Sequence, residues 1–281
     1  MTVLCRVLEV SRAAYYQFLE RKPSKTVQRR EEILAAVKEV HQDKYQRSYG
    51  SPRMHEALLE KGITCCVNTV AKVMRKAGIA ARAVQTFRPA TTDSRHGGPI
   101  APNRLKQQFH AEQINQVWLS DITWLHTCEG FTYLCAIEDL CSRKIVGWAT
   151  SRHIDTQLLL EAFNQAVALR NPPPGLIFHS DRGKQYASDA FRGRLDALGC
   201  LQSMSRSGNC YDNAPMESFF KSYKSEQVQK EMYQTHEHAT REAVDYIERF
   251  YNCRRLHSAL GYQSPIDYEK QRREKTPGRN A

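Results

Sequence analysis

Between residues 117 and 150 three segments in succession, VWLSDITWL (117–125), FTYLCAIED (131–139) and RKIVGWAT (143–150), are rich in β-branched and aromatic residues and carry strand patterning. The connections between them are a few residues long, whereas a crossover to a parallel strand needs a dozen or more. The three segments are therefore predicted to form an antiparallel meander. Beyond it the period changes: a helix over about 155–170, a short strand 176–179 (LIFH), a helix over 188–198, a brief strand near 200–204 and a long helical region from about Asn213. These helical connections are long enough to bring further strands in parallel.

Three strands followed by helix, strand, helix, strand and helix is the order of a ribonuclease H-like core. The predicted fold class is thus α/β, a mixed five-stranded sheet with flanking helices. An all-α region precedes it. Residues 2–20 read as two short helices around a tight turn, with Leu4, Val7 and Leu8 on one face, Tyr15, Phe18 and Leu19 on another, and Ser11 capping the second. A helix over about 29–42 turns Ile33, Val37 and Val40 inward. Ser51 is predicted as an N-cap with Pro52 in the first helical position; Met54, Ala57 and Leu58 share one side, and Gly62 stops the helix. The next helix carries Val70, Val73, Met74 and Ala77 at i, i+3, i+4 and i+7, with Thr69, Lys72, Arg75 and Lys76 on its other face. Two helices around a glycine-containing turn, the second basic outside, fit a helix-turn-helix with those four residues toward DNA. The stretch PATTDSRHGGPIAPN (89–103) has no periodicity and reads as linker. The expected organisation is a helical DNA-binding region 1–82, a linker 83–110, a catalytic core 111–232 and a C-terminal helical extension 233–281.

Charge supports that division. The net charge is +11, and residues 1–110 alone carry 20 basic and 9 acidic side chains, while 111–235 carry 12 and 14. A basic front on a nearly neutral body suits a polyanionic partner. No apolar run approaches the roughly 20 residues that span a bilayer, and the N-terminus lacks a signal-peptide pattern, so the expectation is a cytoplasmic protein without membrane partners, associated with the nucleoid when bound to DNA. The nine cysteines are scattered, odd in number and without a CxxC pair, which predicts reduced thiols rather than disulfides or zinc. His236 and His238 lack cysteine partners at finger spacing and read as solvated helix residues.

Three acidic residues stand where charge needs compensation. Asp121 lies inside the first strand among Trp118, Leu119, Ile122 and Trp124. Asp181 follows directly on LIFHS, at the carboxyl end of its strand, where α/β sheets bind ligands. Glu217 falls in the first turns of a helix opened by Asn213 and Pro215, near its positive end. Two magnesium ions held by carboxylate oxygens would supply the missing charge. Glu138 and Asp139 compete for this role, but Asp139 reads as structural, paired with Arg143.

From Asp181 to Glu217 there are 35 intervening residues. That spacing, and the runs WLSDITWL, GFTYLCAIEDLCSRKIVGW, HSDRGKQYAS, SMSRSGNCYDNAPMESFF and FYNCRRLHSALGYQSP, resemble the second-reading-frame DDE transposase of bacterial insertion sequences, with a retroviral-integrase-like core. YGSPRMHEAL and VNTVAKVMRKAGI resemble that group's helix-turn-helix, and the likeness runs from about residue 2 to 270. The resemblance implies Asp121, Asp181 and Glu217 as catalytic, metal-holding residues, magnesium (manganese as substitute) as cofactor, and hydrolytic nicking at an element end followed by attack of the freed 3′-hydroxyl. It also implies DNA partners, namely terminal inverted repeats and target DNA, and a homo-oligomer on DNA. Lys221 and Lys224, at i+4 and i+7 from Glu217, match basic DNA contacts of integrases, with Gln185 and Tyr186 as further contacts. His179 reads either as a group behind the carboxylates or as a satisfied core histidine; Arg254, Arg255 and His257 either contact DNA or fix the C-terminal segment. The family's full-length enzyme is a fusion with an upstream frame carrying a coiled coil, which does not precede Met1, so the expectation is a second-frame product with the upstream-frame protein as a further partner.

Overall fold

The structure, a computed structural model, describes residues 2–81, 97–227 and 232–275. They divide into two compact units, Met1–Ala81 and Arg82–Ala281.

The first unit is helical: α1 Thr2–Val7, α2 Arg12–Leu19, α3 Lys25–Gln42, α4 Ser51–Glu60 and α5 Val67–Lys76. Ser11 accepts the Ala14 N–H at 3.0 Å and Ser24 the Val27 N–H at 3.3 Å, capping α2 and α3. Ile33, Val37 and Val40 of α3, Met54, Ala57 and Leu58 of α4, and Val70, Val73 and Met74 of α5 form the core. The N-cap of α4 is Gly50, which moves Ser51 and Pro52 into the first turn, one residue on from the expectation. Gly62, at φ +76°, turns the chain between α4 and α5 in a conformation that side chains resist. Of the faces predicted for 2–20, Val7, Leu8, Phe18 and Leu19 are exposed and Tyr15 is half-buried, while the side chain of Leu4 lies outside the described residues. Helices of six and eight residues need a third element laid over them, and the buried residues of α3 begin only at Ile33.

The second unit contains a five-stranded sheet of β1 Val117–Thr127, β2 Gly130–Asp139, β3 Ile145–Ser151, β4 Ile177–Ser180 and β5 Leu201–Met204, in the order β3-β2-β1-β4-β5. The β1–β2 and β2–β3 pairs are antiparallel, β1–β4 and β4–β5 parallel, which is the mixed ribonuclease H-like arrangement expected. Helices α6 Thr156–Arg170 and α7 Asp189–Ala197 pack with one face, where Trp118, Phe163, Phe178 and Phe191 interlock edge to face. At Gly147 of β3 a Cβ would lie 2.3 Å from the Ala162 carbonyl oxygen, so the strand can approach α6 only as glycine. Helix α8 Ala214–Glu226, α9 His236–Val244, a π-helical segment Asp245–Tyr251 and α10 Pro265–Lys275 complete the unit. None of the described helices is long and apolar enough to cross a membrane.

Two expected boundaries shift. Residues 83–96 of the expected linker lie outside the described residues, but 97–110 include Leu105, buried, and Arg104, whose N–H donates to Ser203 Oγ at 2.9 Å. That stretch is attached to the sheet. The expected C-terminal extension is also integral as far as Lys275, with 276–281 outside the described residues. Asn252 donates to and accepts from the Ile145 backbone at 2.9 Å each, and Thr240 meets Thr150 at 2.9 Å. His236 is correspondingly not solvated; its Nδ1 lies 2.7 Å from Thr132 Oγ1, and Nδ1 of His238 accepts from Gln234 N–H.

Arg143 pairs with Glu138 at 3.3 Å, not with Asp139. Asp139 instead accepts the Asn115, Cys141 and Ser142 N–H groups at 2.6, 3.0 and 3.0 Å, closing the β2–β3 turn as a structural residue. Arg143 stands at φ +58° in that turn, with its guanidinium against Glu138, the residue before Asp139. Burial pushes the Glu138 carboxyl up to about 7 despite Arg143 and the Tyr251 hydroxyl beside it. The folded state therefore binds this proton more tightly than the unfolded chain, and its stabilising share is lost as pH rises from the ordinary glutamate range through 7. Thermal melts between pH 5 and 8 are expected to fall more steeply for the native chain than for Glu138→Gln; parallel curves would contradict this.

Candidate active site

The site is set by a short parallel ladder. Strands β1 and β4 pair at Val117↔Ile177, Trp118↔Phe178 and Leu119↔His179. Asp121 and Asp181 each stand two residues beyond the last pair. Asp121 keeps the parity of Leu119 within β1, and Asp181 follows directly on the last residue of β4, so the two acids arise from neighbouring strands about 4.8 Å apart. Both line one open cavity of about 340 Å³, together with Trp124, Tyr133, Ile154 and the 183–186 turn.

Each acid is held by backbone. Asp121 Oδ1 accepts the Ile122 N–H at 2.8 Å, and Asp181 Oδ1 accepts the Gly183 N–H at 2.9 Å. A Cβ on Gly183 would come within 3.1 Å of Asp181 Oδ1 and 2.8 Å of Gln185 Oε1, so a glycine permits the turn. Burial first, and then the charge of Asp181, raise the Asp121 carboxyl well above the ordinary range; Glu217 adds to this and Lys224 opposes it. Two carboxylates crowded in this way form a site short of positive charge.

Glu217 is exposed in the first turn of α8 and is not among the cavity-lining residues. Among the described residues, no three His, Cys, Asp or Glu side chains are grouped so as to hold a metal ion. The fold thus brings Asp121 and Asp181 to one cavity, with the third predicted acid outside its lining and within electrostatic range of Asp121.

What ties α8 to the sheet was not read from the sequence. Asn213 Nδ2 donates to the Ser120 carbonyl at 3.1 Å, beside Asp121. Asp212, fully buried, accepts Asn103 Nδ2 and Gln107 Nε2, both at 2.9 Å, and Arg206 through N, Nε and Nη2 at 2.8–2.9 Å. The Arg206 hydrogen bonds hold its carboxyl well below the usual range. His179 is a satisfied core histidine: Nε2 donates to the Asp212 carbonyl at 2.9 Å, Nδ1 accepts from Ser203 Oγ at 2.8 Å, and burial depresses it to about 4. The pairing of Arg206 with Asp212 six residues on was the one local signal available.

The remaining candidates separate clearly. Lys224 is half-buried, with Nζ 5.0 Å from the Trp124 ring centroid, and Lys221 is exposed on the same helix. Gln185 is buried and lines the cavity wall. Tyr186 is corrected as a DNA contact: it is 1% exposed, packs against Phe178 and Phe191, and its hydroxyl lies 3.0 Å from Ser120 Oγ. In the first unit Lys72, Arg75 and Lys76 are exposed on α5, whereas Thr69 is half-buried with Oγ1 3.1 Å from Cys66 Sγ. Arg255 and His257 are buried in the C-terminal segment, and Arg254 is exposed.

Residues 111–210 and 217–272 each match an integrase core domain family, and residues 28–87 match an HTH-like domain. The chain is 39% identical over 252 residues to the transposase for insertion sequence element IS904 of Lactococcus lactis subsp. lactis, covering 90% of this chain and 99% of that protein. It is 38% identical over 268 residues to transposase InsF for insertion sequence IS3A of Escherichia coli K12, covering 95% and 92%. The HTLV-2 integrase catalytic core domain, solved in complex with magnesium, aligns at a TM-score of 0.43 and 14% identity over 57% of this chain and 99% of that one. The second unit is an integrase core, the fold of a class of polynucleotidyl transferases. The chain belongs to the family of bacterial insertion-sequence transposases.

Proposed function

We propose that this chain cleaves and joins DNA at insertion-sequence ends, with divalent metal held by Asp121, Asp181 and Glu217. The observation that carries the reading is the register of β1 and β4, which sets two acids side by side at the carboxyl end of a parallel pair. Their chemistry fits magnesium, with manganese as substitute: hard oxygen donors, crowded in one cavity, with Asp121 raised by burial and by the charge of Asp181. Bound as a pair, such ions activate an attacking oxygen and stabilise the leaving one. Glu217 stands at the positive end of α8, within range of Asp121's charge, and completes the set of oxygen donors.

The chain's own residues position the DNA. Lys224, beside Asp121, and Lys221 neutralise backbone phosphate, and Gln185 lines the cavity against the DNA; the outer face of α5, with Thr69, Lys72, Arg75 and Lys76, grips the element end. Terminal inverted repeats and target DNA are the substrates, a homo-oligomer on DNA is the working form, and the upstream-frame protein is a further partner. In domain terms, 1–82 binds DNA and the core that follows performs the chemistry.

Purified protein given element-end DNA is expected to produce magnesium-dependent nicked and joined products, and Asp181→Asn none. Equal products from both would remove the assignment. That no three His, Cys, Asp or Glu side chains are grouped to hold a metal ion among the described residues favours a second reading, a DNA-binding regulator without catalysis. That reading predicts binding without metal and no cleavage with magnesium or manganese.

A further inference from the structure

The cavity opens onto an aromatic surface that the reaction chemistry does not use. Trp124 lies opposite Tyr133, and His126 opposite Phe131, on the β1–β2 hairpin, so all four project from one face. The rings are in contact: His126 to Phe131 at 4.5 Å between centroids, Trp124 to His126 at 4.7 Å and Trp124 to Phe131 at 5.6 Å. This is not a core. Phe131 is 45% exposed, His126 is exposed, and Ile154 beside them is 39% exposed. Strand β4 pairs with β1 only as far as Leu119, so the half of β1 that carries Trp124 and His126 overhangs the sheet next to the carboxylates. Trp124 and Tyr133 line the same cavity as Asp121 and Asp181. Positive charge borders the rings, with Lys224 5.0 Å from the Trp124 centroid and Lys184, exposed, on the cavity wall.

We infer that the Trp124–His126–Phe131 surface binds unpaired DNA bases flanking the phosphodiester that is cut. Rings bordered by lysines suit a single strand: bases stack on the aromatic faces while the cations neutralise phosphates. A paired duplex does not fit the same surface, because its bases are already stacked on one another and present only their edges. The strand next to the carboxylates is therefore opened when the DNA is seated. The inference rests on the proposed DNA cleavage, and its test is chosen to fail separately.

The test uses full-length protein carrying Asp181→Asn, so that binding is read without cleavage, in chelator. The probes are element-end duplexes with the two pairs at the cut site either matched or mismatched, each with 2-aminopurine at the flanking position. The mismatched duplex is expected to bind about tenfold more tightly, in line with one stacked base, and its fluorescence to be quenched on binding. Phe131→Ala with His126→Ala is expected to abolish both the preference and the quenching, and Phe131→Tyr to keep them; Phe131 is exposed on a hairpin, and a thermal melt confirms that each variant folds. Equal affinity for the two duplexes, or a preference that survives the double alanine variant, overturns the inference. Absence of cleavage by the native chain would instead overturn the catalytic reading and leave this result standing.

Discussion

Arg255→Ala is expected to cost the fold about 3–5 kcal/mol, the range for breaking a buried ion pair from one side. Arg255 Nε and Nη2 donate to the two Glu226 oxygens, both at 2.8 Å, and Nη2 donates also to Ser222 Oγ at 2.9 Å. Tyr246 completes the set by donating to Glu226 at 2.7 Å. The paired side chains are each 4% exposed. Burial works against the charge on Arg255, and the Glu226 carboxylate more than offsets it, leaving the guanidinium firmly protonated. Truncation strands the Glu226 charge in the interior, which is the costly part. The pair joins the last turn of α8 to the segment that follows the π-helix, so the loss is expected to loosen the helix that bears Glu217 as well. Urea unfolding measures the effect. Pairing Arg255→Met with Glu226→Gln removes both charges and is expected to recover most of it; a single-variant cost below about 1 kcal/mol would contradict the buried-pair account.

Asp121→Asn is expected to move activity and stability in opposite directions. A bound metal's Lewis acidity is worth several kcal/mol of transition-state stabilisation, and each 1.36 kcal/mol is tenfold, so joining is expected to fall by about 10³-fold or more. Stability follows the other sign. Burial and the Asp181 charge raise the folded-state carboxyl above its unfolded value. A carboxyl shifted upward stabilises the fold while protonated and loses that contribution as pH rises through its folded value. Asparagine avoids the loss and keeps an oxygen to accept the Ile122 N–H. The metal-free variant is therefore expected to melt at or above the native temperature at neutral pH, as an active-site residue retained at a cost to stability would. Magnesium is expected to raise the melting temperature of the native chain by mass action and to leave the variant unmoved. A variant that melts well below the native chain, or that responds equally to magnesium, would contradict this assignment.

Much of this was legible because local patterning and tertiary packing agree. The strands around Asp121 and before Asp181 follow from apolar alternation, and α6 and α7 start at the side-chain caps Asp155 and Ser188. The carboxylate pair could be anticipated because a charge within an apolar strand demands a reason. Less legible was whatever depends on distant elements. Arg143 looks like Asp139's partner by proximity, but in the turn its guanidinium lies against Glu138. Tyr186 follows Asp181 closely and still points inward, because the turn at Gly183 reverses the chain into the aromatic core. The 97–110 segment has linker composition, yet Asp212, more than a hundred residues away, binds it. Spacing alone named Glu217, but spacing carries no information on how near α8 comes to β1.

The three-rung β1–β4 ladder also acts as a length gauge, and this sets which insertions and deletions the chain tolerates. Losing Ser120, the one residue between Leu119 and Asp121, sends that acid to the opposite side of the sheet. Inserting two residues there keeps the side but displaces the acid by roughly 6.6 Å along its strand, more than the gap between neighbouring strands. The step from Leu119 to Asp121 is consequently a place where the chain's length is tightly constrained, while the β2–β3 pairing already absorbs an irregularity at Ile137/Glu138.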